Sequence, residues 1–263
     1  MAWQKTACVL CANGCGLEVQ VEGNRIVKVR GDRDSPISEG YICRKGNHIA
    51  YHQHHADRLL HPLKRVGDHF EQVSWEQAIE EIAARLREIF AEHGPRALAS
   101  LTGGGAFSFL TAPYAVRLVR RLGSRWNYSA ANQEFSGRFW AHGLTFGNQG
   151  IQPTADLDHT EVLVLLGKNP MMSHDFPQAR RYLRRMSRDP DRLLVVVDPR
   201  LSETARLADV HLPLRPGTDA LLLRSMISII LGEGLHDRAY LDRHADGFAD
   251  ILPWFTGFDV RGA

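Results

Sequence analysis

Val162-Leu163-Val164-Leu165-Leu166-Gly167-Lys168-Asn169-Pro170 and Leu193-Leu194-Val195-Val196-Val197-Asp198-Pro199-Arg200 decide the fold. Each joins five unbroken apolar residues to a short polar loop. Runs this short, rich in valine and leucine, read as strands rather than helices. Their lack of alternation predicts strands buried on both faces, the signature of a parallel sheet with helices on either side. Between them, Phe176, Ala179, Leu183 and Met186 recur at helical spacing, opposite Arg180, Arg181, Arg184, Arg185 and Arg188. The arginine stripe reads as a solvated helix face, with docking of an acidic partner as the alternative. Ligands of parallel sheets bind at the carboxyl ends of the strands. Gly167-Lys168-Asn169-Pro170 and Asp198-Pro199-Arg200 are therefore candidate binding loops.

The same theme extends in both directions. Downstream, Pro216-Gly217-Thr218-Asp219 precedes the apolar helix expected over Ala220–Leu231, and upstream Leu98–Leu101 runs into Gly103-Gly104-Gly105. A glycine turn can cradle phosphate with backbone amides, and an arginine can hold it with its guanidinium. An acidic residue just past a strand can accept from a ribose or a guanine edge. Each loop alone is an ordinary turn, whereas the three together at one sheet edge predict nucleotide binding. Ser74 and Gln77 have capping-box spacing ahead of a helical stripe of Trp75, Ile79, Ile82, Ala83, Leu86, Ile89 and Phe90, which Gly94-Pro95 stops. The last stretch, Asp250–Ala263, holds no evident closing strand, so either the last helices cap the sheet or the chain is the front part of a longer polypeptide.

The first sixty or so residues differ in kind. Val19, Val21, Ile26 and Val27 flank Gly23-Asn24, a hairpin signal. All four cysteines lie here, as Cys8-x2-Cys11-x3-Cys15 and, after 27 residues, Cys43. A compact triplet with a distant fourth thiolate suits an iron–sulfur cubane. A zinc ion on four thiolates is the alternative, although zinc sites usually present two close pairs. Lys45, two residues past Cys43, is expected near any such site, as a bridge to a second redox group or as a plain surface lysine. His48, His52, His54, His55 and His61 cluster without an HExxH pattern, and read as solvated or capping side chains.

Composition narrows the classes. A net charge of +2 on 263 residues gives no case for nucleic acid or a membrane surface as partner, and 44% hydrophobic content supports a sizeable core. No apolar run approaches the roughly 20 residues of a membrane span. The first residues show neither a basic n-region with an apolar stretch nor a twin-arginine pair, so a cytoplasmic location is expected.

Taken in order, Cys8-Val-Leu-Cys11-Ala-Asn-Gly-Cys15, Cys43-Arg-Lys-Gly46, Asp57-Arg58-Leu59 with Pro62-Leu63-Lys64-Arg65, and Ser74-Trp75-Glu76-Gln77-Ala78 form one half of a pattern. Gly167-Lys168-Asn169-Pro170, Asp198-Pro199-Arg200 and Arg215-Pro216-Gly217-Thr218-Asp219 complete it. The pattern resembles the N-terminal part of molybdopterin-dependent oxidoreductases of the dimethyl sulfoxide reductase family, formate dehydrogenase and nitrate reductase types in particular. The resemblance implies an α/β chain: a small β-rich iron–sulfur domain at 1–62, the first part of a pterin-binding domain at 63–155, and a Rossmann-like guanine dinucleotide-binding domain at 156–263, truncated by comparison with the far longer family chains. It implies a 4Fe–4S cluster on Cys8, Cys11, Cys15 and Cys43, and molybdenum or tungsten held by two molybdopterin guanine dinucleotides. Gly167, Asn169, Asp198, Arg200, Gly217 and Asp219 match positions that hold a dinucleotide, and Lys45 matches the lysine between cluster and pterin. The activity implied is two-electron oxidation or reduction of a small substrate such as formate or an oxyanion. Electrons would pass through Lys45 and the cluster to a redox partner subunit or the remaining C-terminal part of the enzyme. One departure concerns the metal. Aligning Arg138 on the family arginine places Trp140 where the family supplies Cys, selenocysteine, Ser or Asp, and an indole cannot coordinate molybdenum. His142, the nearest side chain with a lone pair, becomes the catalytic candidate, and a non-catalytic iron–sulfur electron-transfer or assembly subunit is the alternative function.

Overall fold

The computed structural model describes all residues except 12, 103–111, 130–132, 134, 152, 174–175, 261 and 263, so the Gly103-Gly104-Gly105 loop lies outside the described residues. The chain divides into two compact units, Met1–Ala155 and Asp156–Ala263.

The first unit opens with an antiparallel sheet of β1 (Gln4–Ala7), β2 (Gly16–Glu22) and β3 (Arg25–Gly31), in that order. Gly23 and Asn24 both have positive φ, 48° and 66°, between the paired residues Glu22 and Arg25. That is the mirror-image turn whose twist matches a hairpin. Two short helices follow, α1 (Arg44–Asn47) and α2 (Ile49–Gln53). The core here is small: Cys8, Cys15 and Leu17, against Leu10, Val29, Ile42 and Ile49.

A second hairpin, β4 (Leu63–Val66) with β5 (His69–Gln72), leads into α3 (Trp75–His93). Ser74 caps α3 by accepting from the Gln77 N–H at 3.1 Å, and Gly94 ends it at φ 69°. The capping box is half formed, because the Gln77 side chain donates to Glu81 instead of reaching back. No residue of α3 is buried; Trp75, Ile79 and Ile82 face outward. A parallel pair, β6 (Ser100–Thr102) with β7 (Asn127–Ser129), and the helices α4 (Ala112–Arg121) and α5 (Ser136–Phe146) complete the unit.

In the second unit, β8 (Val162–Leu166), β9 (Leu193–Val197) and β10 (Val210–Leu212) make a parallel sheet with β9 in the middle. Leu163, Leu165, Leu194 and Val196 point to one face, where α6 (Pro170–Ser173) contributes Met171 and α7 (Ala179–Met186) contributes Leu183 and Met186. The opposite face differs from the sequence expectation of two covered faces. Val162, Val164, Leu166 and Leu193 stay exposed on it, while Val197, at the carboxyl end of β9, is buried. The apolar α8 (Asp219–Gly232) buries none of its residues, and α9 (Arg238–His244) and α10 (Phe248–Ile251) follow it.

Candidate functional site

The four cysteines converge because the β-sheet carries three of them to one place and a tightly bonded loop returns the fourth. Ala7 pairs with Gly16, so Cys8 and Cys15 flank the end of the β1–β2 ladder, and Cys8 N–H donates to the Cys15 carbonyl at 2.8 Å. Cys11 lies in the intervening loop, and Cys43 is the N-cap residue of α1. Between β3 and Cys43 the chain folds on itself. Asp32 N–H donates to the Gly16 carbonyl at 3.0 Å, Gly40 N–H to the Asp32 carbonyl at 2.8 Å, and Gly16 N–H to Ser38 Oγ at 3.0 Å. Ser38 Oγ in turn donates to Ser35 Oγ at 3.1 Å. Asp32, Ser35 and Ser38 are buried, so these bonds satisfy groups that would otherwise be costly to bury. Two glycines allow the close approach. A Cβ at Gly31 would overlap the Gly40 carbonyl oxygen, and one at Gly46 would lie 2.8 Å from Ile42 Cγ1 and 3.9 Å from Cys8 Sγ.

Electrostatics tie the four thiols together. Burial pushes the Cys8 thiol above its ordinary pKa, and the Cys11 and Cys43 sulfurs push it further, while the Leu10 N–H and Lys45 pull it back. Cys15 is raised by burial first and then by the other three sulfurs. Lys45 itself is exposed. Unshielded thiolates would repel here, so the pocket favours a positively charged core that neutralises them. Among the described residues, no three His, Cys, Asp or Glu side chains stand close enough to hold a single metal ion. Four sulfurs on one zinc, with Zn–S near 2.3 Å, would sit roughly 3.8 Å apart. Three thiols from one short loop and a fourth from a returning segment, near enough to influence one another, match the ligand pattern of a polynuclear cluster, whereas structural zinc sites usually present two close pairs.

The second constellation is the carboxyl edge of the β8–β9–β10 sheet. The register aligns Leu166 with Val197 and Val197 with Leu212, so the three strands end level. Gly167 N–H donates to the Val197 carbonyl at 2.8 Å, Asp198 N–H to the Leu212 carbonyl at 3.2 Å, and the Asp198 side chain accepts from Arg200 N–H at 2.8 Å. Gly167, Asn169, Asp198 and Arg200 are thus brought together at one edge. Asn169 is held hard: its Oδ1 accepts from Thr204 Oγ1 at 2.7 Å and Thr204 N–H at 3.3 Å, and its Nδ2 donates to Glu203 at 2.7 Å. Glu203 also receives Arg200 Nη2 at 3.4 Å. Glu203 and Thr204, which motif reading missed, hold Asn169 in this candidate site. Their only sequence signal was a polar Ser202-Glu203-Thr204 run directly after a binding loop. Gly217, at φ 87°, and Asp219 follow β10, and among the described residues no hydrogen bond or ion pair joins them to the Asn169 network. Open space around Gly167 and Gly217, with amide, guanidinium and carboxylate groups alongside, fits an anionic nucleotide with a guanine end.

The remaining expectations divide. Trp140, in α5, is 67% exposed. His142 on the same helix buries its Nδ1 with no partner among the described residues and meets the Phe146 ring edge-on at 5.7 Å. No hydrogen bond or ion pair joins His142 to the cysteine pocket among the described residues. The other histidines do local work: His48 Nδ1 bonds the Arg44 carbonyl at 2.8 Å, and His54 Nε2 accepts from Ile26 N–H at 2.9 Å. The arginine stripe is partly structural rather than simply solvated. Arg180 donates to the Met171 carbonyl and Arg185 to Asp158, each at 2.7 Å.

Family comparison now adds to this geometry. A family described as Molybdopterin oxidoreductase matches residues 58–241, and the Molybdopterin oxidoreductase Fe4S4 domain matches residues 1–55. The chain belongs to the molybdopterin oxidoreductases. The cofactors of these families are a 4Fe–4S cluster and a molybdenum- or tungsten-bearing pterin. A nitrate reductase of Symbiobacterium thermophilum is 31% identical over 245 residues, covering 92% of this chain and 32% of the relative. The F420-dependent formate dehydrogenase subunit alpha of Methanocaldococcus jannaschii is 28% identical over 248 residues, covering 94% and 36%. The structure of acetylene hydratase from Pelobacter acetylenicus superposes with a TM-score of 0.75 at 27% identity, covering 95% of this chain and 35% of that one. This molybdopterin oxidoreductase chain spans about a third of the length of these relatives. No helix among its described residues is long and apolar enough to cross a membrane.

Proposed function

We propose that the chain is the catalytic subunit, or the N-terminal portion of it, of an iron–sulfur molybdo- or tungsto-pterin oxidoreductase. Its substrate class is a small molecule such as formate or an oxyanion, in keeping with relatives named formate dehydrogenase and nitrate reductase. The single observation behind this reading is the convergence of four thiols from two chain segments in one pocket. Residues 1–62 would form the cluster domain, 63–155 the first part of the pterin domain and 156–263 the dinucleotide domain.

The bound metal and its pterin supply the two-electron chemistry, while the protein orients and shields. Cys8, Cys11, Cys15 and Cys43 hold the cluster, with Ile42 and Leu10 excluding water from it. Lys45 offers a positive charge beside the thiols, and, as the family resemblance implies, would lie between cluster and pterin. Asn169 and Arg200 donate to phosphate, and Asp198 and Asp219 accept from guanine or ribose. His142 is the proton-handling candidate, since an imidazole nitrogen can accept or donate a proton and its Nδ1 has no partner among the described residues. A redox partner subunit, or further polypeptide of the same enzyme, receives the electrons. Metal analysis of the isolated protein tests the reading: about four irons per chain with molybdenum or tungsten is expected, and a protein without iron overturns it. The exposed Trp140 at the expected ligand position favours a second reading, a non-catalytic iron–sulfur electron-transfer or assembly subunit, which iron without molybdenum or tungsten would select.

A further inference from the structure

Glu203 lies on neither strand end nor in any binding motif, yet one of its oxygens serves both loops of the sheet edge. Oε2 accepts from Asn169 Nδ2 at 2.7 Å, across 34 residues of sequence, and from Arg200 Nη2 at 3.4 Å. The Asn169 hydrogen bond is strong enough to hold the Glu203 carboxyl below the ordinary carboxylate range, with Arg200 adding a smaller pull. The rest of Asn169 is fixed as well. Thr204, fully buried, gives its hydroxyl proton to Asn169 Oδ1 and receives the Met171 N–H at 3.2 Å on the same oxygen. With Oδ1 doubly occupied, the amide cannot flip, and one Nδ2 proton goes to Glu203. Among the described residues nothing else accepts the second Nδ2 proton or the remaining guanidinium protons of Arg200.

We infer that Glu203 is a positioning residue of the dinucleotide site: by tying the loop after β8 to the loop after β9, it fixes the direction in which Asn169 and Arg200 present their donors to the diphosphate of a guanine nucleotide. The inference rests on reading this edge as the nucleotide site. Without the tie, Arg200, which is largely exposed, keeps only backbone anchors, its N–H to Asp198 and its carbonyl to the Ser202 N–H, and its long side chain regains rotamer freedom that binding must remove again. A simple anion in this place would do the opposite and repel phosphate, so the two roles predict opposite signs.

The test is calorimetric titration of the full chain with guanosine diphosphate, for wild type, Glu203→Ala and Glu203→Gln, with thermal midpoints recorded alongside. Positioning predicts that Glu203→Ala weakens binding about tenfold and that Glu203→Gln, which keeps an acceptor oxygen for both donors, stays within about threefold of wild type. In an Asn169→Ala, Arg200→Ala background, Glu203→Ala should have no further effect, which a generally loosened fold would not reproduce. Tighter binding by both Glu203 variants, equal weakening by both, or unchanged binding by Glu203→Ala overturns the inference while leaving the site in place. Wild-type protein that takes up no guanosine diphosphate overturns the nucleotide reading of the edge, and the inference with it.

Discussion

Replacing Gly31 with alanine adds one methyl group, and the structure has nowhere to put it. The backbone at Gly31 is in an ordinary strand conformation, so alanine meets no dihedral strain there. The obstacle is steric: the new Cβ would overlap the Gly40 oxygen, lie 2.6 Å from the Gly40 carbon and 3.1 Å from its Cα. All three atoms are backbone, so no side chain can swing aside. The loop must lift, and the bonds at risk are Gly40 N–H to the Asp32 carbonyl and Asp32 N–H to the Gly16 carbonyl. Overpacking costs about 1–3 kcal/mol, and each net hydrogen bond about 1 kcal/mol, so a loss of roughly 3 kcal/mol is expected. Cys43 lies three residues beyond Gly40, so the same displacement carries the proposed fourth cluster ligand away from the other three thiols. Urea unfolding and iron content measured on one preparation check both consequences. A Gly31→Ala protein with the wild-type midpoint and full iron would refute the close-approach argument.

Four further outcomes are expected. Cys43→Ala should bleach the broad visible absorption of the cluster, and an unchanged spectrum would remove Cys43 from the ligand set. Leu183→Ala opens a cavity under the β8–β9–β10 sheet and should cost about 2–5 kcal/mol in denaturant unfolding; a loss below about 1 kcal/mol would mean that the fully buried Leu183 does not anchor this core. The Arg185 guanidinium, with help from the Tyr182 hydroxyl, holds the Asp158 carboxyl below its ordinary value. Because the folded value is depressed, the contribution is full above the ordinary value, about 3.9, and fades as pH falls towards the folded one. The thermal midpoint of Asp158→Asn should therefore trail wild type at neutral pH and converge with it in acid, and a gap that persists in acid would exclude the ion pair as its origin. His142→Ala should abolish turnover while cluster and pterin content stay intact, and ordinary activity in that protein would take His142 out of the mechanism.

Local signals were legible in the sequence where a few neighbouring residues sufficed. The bounds of β8 and β9 follow the apolar runs residue for residue, and Gly23-Asn24 and Ser74 act as read. Features that depend on distant partners were not legible. β1, Gln-Lys-Thr-Ala, has no apolar pattern and exists through its pairing with β2. Unbroken apolar runs report that a strand is suited to burial on two faces, whereas whether both are covered depends on chain elsewhere, and Val162 and Val164 are left open here. The proposed dinucleotide edge shows the same division. Asn169 and Arg200 were visible as loop residues, but the bonds from Glu203 and Thr204 that orient Asn169 cross 34 and 35 residues and leave no local trace.

The first hairpin also bears on the order in which the cysteine pocket is assembled. In the open chain, 27 residues, 16 to 42, separate Cys15 from Cys43. Once β2 and β3 zip, Gly31 lies opposite Leu17 and Asp32 bonds to Gly16, so the segment still to be closed shrinks to the 11 residues from 32 to 42. With closure entropy growing as (3/2)RT ln n, that shortcut removes about 0.8 kcal/mol from the search for the fourth thiol. Hairpins form in microseconds, so the sheet would be in place long before iron arrives. The Gly23-Asn24 turn, at the far tip from all four thiols, thereby shortens the search that brings the fourth of them home.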